Sequence, residues 1–282
     1  MRAGKVVVAL GLVIGGALLQ GAAAQQTSLV SAVLPASRAV QVGTPATAFA
    51  TIINSGSVTA TGCQIALPPG LAADFYYQAT DPATNAPIPG YKNVPVDIGA
   101  GQPKSFLIAL TPQAPFAAQD VRLRFYCANA PDAPVYPGLN TLLLSSSSTP
   151  GPDVVALAAT VNGDGIVDVP GPTGTGFFAV ATVNVGTTAT ITASANTGNS
   201  ALPVALSICQ TNSATGSCLA PPSASVTTTI NAGATPTFAI FAAGSGAIAF
   251  DPAGNRIFVV FRDAGGAVKG ATSVAVRTAN PS

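Results

Sequence analysis

Four groups of side chains in this sequence can do chemistry, and their spacing limits how far that chemistry goes. Cys209 and Cys218 lie in "CQTNSATGSC", and Cys63 and Cys127 are the other two thiols. A zinc site needs Cys and His at short spacing, and the chain has no His. A redox pair needs the two-residue spacing that lowers a thiol pKa. Neither pattern fits, so all four cysteines are expected in disulfides. "VNGDGIVD" (161–168) has the outline of a calcium loop, with Asn162 and Asp164 at positions three and five, Gly165 at six and Asp168 at nine. Positions one and twelve are then Thr160 and Gly171, where such loops use acids. Asn-Gly and Asp-Gly are also strong tight-turn signals. We adopt the turn and keep Asn162, Asp164 and Asp168 as the calcium candidates.

Two further groups are candidate ligand contacts. Tyr76 and Tyr77 in "DFYYQ", with Tyr91 close by, place three of five tyrosines in a short stretch. Exposed rings stack on sugars, but neighbours in a strand point to opposite faces, so packing is the expected role. Arg122 and Arg256, each near an Asp (Asp120 and Asp251), are expected to be solvated charges at strand edges. Catalysis is harder to assemble. Without His or Glu there is no common general base and no His-based triad. The aspartates fall in turn contexts, and no Ser-x-x-Lys or phosphate-loop motif occurs. A non-enzymatic protein with no cofactor is expected.

What positions these groups is an internal duplication. "TIINSG" (51–56) matches "TVNVG" (182–186), and "YQATDPATNAP" (77–87) matches "CQTNSATGSC" (209–218). Further on, "IGAGQPKSF" (98–106) matches "INAGATPTF" (230–238), and "FAAQDVRLRF" (116–125) matches "FDPAGNRIFVV" (250–260). The order is kept and the offset drifts only from about 130 to about 134, which argues for two copies of one module. The seam falls at "SSSSTPGP" (145–152), rich in turn-forming residues. This divides the chain into a domain at 25–148 and a domain at 149–282. Short runs rich in β-branched and aromatic residues, such as "KSFLIALT" and "NRIFVVFRD", alternate with turns such as "PPG" and "DAGG". Each copy is expected to be an all-β, immunoglobulin-like sandwich, with a jelly roll the rival.

The duplication also pairs the cysteines. Cys63 aligns with Ala193 and Cys127 with Phe261, while Cys209 and Cys218 align with Tyr77 and, within one residue, Pro87. Each pair is present in one copy and wholly missing from the other. Cys63–Cys127 and Cys209–Cys218 are the pairings expected.

The first 24 residues have two positive charges (Arg2, Lys5), an apolar run from Val6 to Leu19 and small residues at Ala22–Ala24. That is the layout of a secretory signal peptide, and the run is shorter than the roughly 20 residues a membrane span needs. No transmembrane segment is expected in the mature chain. Charged residues make up 7% of the sequence, against about 25% in typical soluble proteins. Removing Arg2 and Lys5 from the 11 Lys and Arg leaves nine against ten Asp. Such a balance steers the protein to neither nucleic acid nor an anionic membrane.

"SRAVQVGTPATAFATIINSGSVTATGC" (37–63) resembles bacterial extracellular Ig-like modules of the cell-adhesion-related (CARDB) type. The stretch from about 28 to about 278 is similar to exported proteins of Gram-negative bacteria, with "NRIFVVFRDAGGAVKGATSVAVRT" typical of their second domain. The resemblance implies two sandwiches at or beyond the inner membrane, in the periplasm, on the surface or in the medium, and supplies no catalytic residue. Two functions remain open. One is a structural or surface-interaction protein whose partner is another protein, the envelope or itself. The other is a binding module for a glycan, a peptide or Ca²⁺.

Overall fold

Runs of apolar and β-branched residues interrupted by Gly, Pro, Asn and Asp make strands. The computed structural model describes residues 27–279 and has no helix among them. The expected signal peptide, residues 1–24, lies outside the described residues. Eleven strands lie in the N-terminal half: β1 (Leu29–Leu34), β2 (Ser37–Gln41), β3 (Ala46–Asn54), β4 (Ala60–Ala66), β5 (Ala73–Thr80), β6 (Pro87–Lys92), β7 (Val96–Ile98), β8 (Pro103–Pro112), β9 (Phe116–Val121), β10 (Arg124–Tyr126) and β11 (Leu142–Ser147). Nine lie in the C-terminal half: β12 (Val154–Thr160), β13 (Ile166–Pro170), β14 (Thr175–Asn184), β15 (Ala189–Asn196), β16 (Val204–Thr211), β17 (Ser225–Ile230), β18 (Thr237–Gly244), β19 (Arg256–Asp263) and β20 (Val268–Ala279).

The chain is all-β, and the strands of each half form a sandwich. One N-terminal sheet has the order β1-β3-β8-β5-β6, and it faces two short sheets, β10-β4-β7 and β2-β11-β9. In the C-terminal half β12-β14-β18-β16 faces β13-β20-β19-β15-β17. Burial follows the period of two that a sheet imposes. Along β3, Ala46, Ala48, Ala50 and Ile52 point into the core, while Phe49 and Ile53 face out. Phe106, Ile108 and Phe125 fill the first core, and Phe178, Phe238 and Phe261 the second.

In each half the leading strand changes sheets. β1 pairs antiparallel with β3, and β2 then pairs parallel with β11. Likewise β12 pairs antiparallel with β14, and β13 parallel with β20. In the second half the crossover is made by "VNGDG" (161–165). The Asp164 carboxylate accepts hydrogen bonds from the Ile166 N–H and the Thr160 hydroxyl, and Gly163 and Gly165 take positive φ.

The repeat is visible atom by atom. Asn54 is buried, donates through Nδ2 to the Ile98 carbonyl 3.0 Å away and accepts from the Gly56 N–H. Asn184 donates to the Ile230 carbonyl at 3.1 Å and accepts from the Gly186 N–H. Each thus ties a strand end to a turn of the opposite sheet.

Candidate functional site

Both disulfides pair as the duplication requires, Cys63 with Cys127 and Cys209 with Cys218. Ala193 and Phe261, the aligned residues of the second half, face each other in the β15–β19 register, so a packed pair stands where the first half has a covalent one. The second pairing corrects the alignment by one residue. Tyr77 and Ile208 are both buried residues of equivalent strands, opposite Ile108 and Ile240. Cys209 therefore corresponds to Gln78, on the opposite face of the strand. Gln78 Nε2 donates to the Ile88 carbonyl at 2.8 Å. Where the second half is stapled, the first has a hydrogen bond rather than packing alone. The loops between match as well. The Asp81 carboxylate accepts from the N–H groups of Ala83 and Thr84, and the Asn212 side-chain oxygen from those of Ala214 and Thr215.

The three tyrosines form no platform. Tyr77 is 4% exposed, packs edge-on against Phe106 at 5.8 Å and belongs to the core, where burial pushes its pKa up. Tyr76 lies on the other face under the Lys92 ammonium, 4.2 Å from the ring centroid. Tyr91 is exposed on β6. Arg122 and Arg256 do not share an environment. Arg122 is exposed between β9 and β10, as a solvated charge should be. Arg256 is not solvated: it is 6% exposed, and burial pulls its pKa down. Its Nε and Nη2 donate to Ser273 Oγ at 3.1 and 2.9 Å, and Nη1 donates to the Pro252 carbonyl at 2.6 Å.

Ser273 hands this arrangement to the first half, since its hydroxyl donates to the Gly138 carbonyl at 2.7 Å. Gly138 has φ +77, and a Cβ there would lie 2.5 Å from the Phe258 ring. Only glycine lets that loop reach β19. Two more contacts close the seam. Ser37 Oγ donates to the Ala271 carbonyl and accepts from the Ala271 N–H. Arg38 Nε and Nη2 both lie 2.9 Å from Asp153 Oδ2, while Oδ1 accepts from the Ala39 N–H. Burial pushes the Asp153 carboxyl above its ordinary range against the opposing pull of Arg38 and that N–H. The sequence placed the seam at 145–152 but not the contacts across it. In a chain so poor in charge, an Arg in an otherwise uncharged strand and an Asp just after the linker were the available signals.

The calcium candidates are drawn into other bonds. Asp164 serves the turn, and the turn's N–H groups hold its carboxyl below the usual range. Asp168 Oδ1 accepts from Arg277 Nε at 2.6 Å and Oδ2 from Asn162 Nδ2 at 3.3 Å. A guanidinium on the carboxylate opposes cation binding, and no group of three or more His, Cys, Asp or Glu among the described residues could hold a metal. Arg277 also lies over the exposed ring of Phe250, 5.0 Å from its centroid. Beside Asp168 is a notch of about 160 Å³ lined in part by Val161, Asn162, Thr175 and Phe177.

No protein-family model matches the chain, and no curated protein does. Among solved structures, the ASH/PapD-like domain of human CEP192 (PapD-like domain 7) is similar at 10% identity and a TM-score of 0.26, over 53% of this chain and 98% of that one. A crystal structure of a protein of unknown function from Porphyromonas gingivalis is similar at 14% identity and a TM-score of 0.26, over 88% of this chain and 99% of that one. The sandwich assignment rests on this chain's own sheets.

Proposed function

We propose that the chain is a non-enzymatic, exported structural or surface-interaction protein of the bacterial envelope, made of tandem CARDB-type Ig-like domains at 25–148 and 149–282. The observation that supports this reading is the sheet β12-β14-β18-β16. None of its four strands contains a charged residue, and Leu157 and Phe177 on its outer face are 43% and 55% exposed. An antiparallel sheet with one solvated face ordinarily turns polar residues outward. The first half repeats the theme with two exposed cross-strand pairs, Val30 opposite Ile53 and Leu34 opposite Phe49. Apolar faces of this kind mark interaction surfaces. Two disulfides suit an oxidising compartment.

Light scattering on the mature chain, recovered from cell fractions and medium, tests the reading. The expected result is assemblies or envelope association that Leu157→Asp disperses. A monomer found only in the soluble fractions at every concentration overturns it. The second reading, a binding module, is favoured by the polar notch beside Phe177. It differs in requiring a melting temperature that rises with ligand.

A further inference from the structure

We propose that the notch at the β12–β13 crossover binds a neutral carbohydrate, with Phe177 stacking on the apolar face of a sugar ring, Asp168 and Asn162 taking its hydroxyls and Arg277 holding Asp168 in place. The site deepens the binding-module reading and shares Phe177 with the apolar face described above, while its polar residues, Asp168 on β13 and Asn162 in the crossover turn, lie outside that sheet. Phe177 lies beyond the last β12–β14 pair, Thr160 opposite Phe178, at the corner where β12 leaves the sheet. Gly176 lets β14 come close to β13 there: a Cβ would lie 2.7 Å from Val167 Cγ1 and 2.8 Å from the Asp168 carbonyl. That approach brings Phe177 and Asp168 into the lining of one notch.

The polar wall is held in place before any ligand arrives. Asp168 is fixed by Arg277 at one oxygen and Asn162 at the other, and Arg277 is fixed over Phe250. A carboxylate offers about four acceptor sites. With two in use, acceptors are left for hydroxyl groups. A preorganised wall of this kind avoids the ordering cost of binding.

Charge selects among ligand classes. Asp168 and Arg277 neutralise each other, so a cation meets the guanidinium and an anion meets the carboxylate. A neutral ligand meets neither obstacle. It must still present an apolar face next to a row of hydroxyls, and a pyranose ring does both. Size agrees: at about 160 Å³ the notch is roughly half the lower bound for sites that take drug-sized ligands, room for one small ring or the end of a chain. Phe250, 57% exposed on the far side of Arg277, gives a second ring for a neighbouring sugar unit.

The test is affinity electrophoresis of the mature chain in gels containing dextran, laminarin, galactomannan or xylan, followed by titration calorimetry with the matching oligosaccharide. Retardation by at least one of these neutral polysaccharides is expected, unchanged by EDTA. Phe177→Ala and Asp168→Asn should each weaken binding at least about tenfold, the size of one lost hydrogen bond to a charged group. Phe49→Ala, which removes an exposed ring of the first half, should leave binding unchanged. If Asp168→Asn disturbs folding, Asn162→Ala and Phe177→Ala, at exposed positions, carry the test. Retardation by none of the four polysaccharides overturns the proposal. So does binding that survives both Phe177→Ala and Asn162→Ala, or binding that EDTA abolishes.

Discussion

In the C-terminal half β19 runs unbroken through the middle of its sheet, bonded to β15 on one side and β20 on the other. In the N-terminal half the same stretch is cut. β9 pairs with β11, β10 pairs with β4, and the Leu123 N–H turns back to the Val121 carbonyl between them. The connection that follows differs too: residues 127–141 lead from β10 to β11, where residues 264–267 suffice between β19 and β20. The cut sheet loses a continuous ladder and carries Cys63–Cys127 beside the break. The longer connection is the segment that reaches the second half through Gly138. One copy keeps regularity, and the other exchanges it for a surface that docks.

The largest test of this contrast is removal of the disulfide beside the break. Cys63→Ala with Cys127→Ala should cost about 4 kcal/mol in the chain-entropy model. Calorimetry should show the loss in the transition of the first half, with the second half melting near its native temperature. A uniform shift of both transitions would show that the seam, rather than the disulfide, sets the stability of the cut sandwich.

Next comes the seam. Arg38→Met leaves the Asp153 carboxylate buried without its partner, a loss of about 3 kcal/mol for pairs of this kind. The pH dependence has a definite sign. Burial holds the folded carboxyl of Asp153 above its ordinary range, so the folded state binds the proton more tightly than the unfolded chain. Relative to the native chain, the variant's deficit should shrink as pH falls through the carboxylate range and grow as pH rises, because removing Arg38 takes away a group that pulls the Asp153 carboxyl down. Denaturant titrations at several pH values read this directly, and an opposite slope would put the Asp153 shift in doubt.

The two edge loops give smaller effects. Cys209→Ser with Cys218→Ser should cost about 2.6 kcal/mol, the chain-entropy figure for so short a closed loop. Gln78→Ala should cost about 1 kcal/mol, the net worth of one hydrogen bond. Transplanting the staple sharpens the comparison. Gln78→Cys with Pro87→Cys puts thiols at the positions that correspond to Cys209 and Cys218. Thiol titration should find them oxidised, because Thr80–Pro87 and Thr211–Cys218 are equivalent strand pairs.

How much of this the sequence discloses depends on the range of the interaction. Local patterns were legible: "ATAFATIIN" alternates as its strand does, and the buried Asn54 and Asn184 appear as the repeated Asn-x-Gly. The paired loss of cysteines between the copies disclosed both disulfides. The one-residue error at Cys209 arose because alignment by residue type is blind to which face a strand residue occupies. Burial of Arg256 was illegible, since the Gly138 loop and Ser273 that enclose it lie in distant parts of the chain. Phe177 and Phe250 gave no signal either: in an apolar sequence, an exposed phenylalanine reads as one more core residue.

The exchange of sheets by each leading strand has a mechanical consequence. β2 runs parallel to β11 and β13 parallel to β20, each over five register pairs. Tension applied between the two ends of either sandwich draws such strands in opposite directions along their length. Their hydrogen bonds are then loaded in shear and must fail together, whereas strands peeled from an edge open one bond at a time. Forced unfolding is governed by the height of the unfolding barrier rather than by equilibrium stability. Each sandwich is therefore built to bear a pull along the chain, whatever its equilibrium stability.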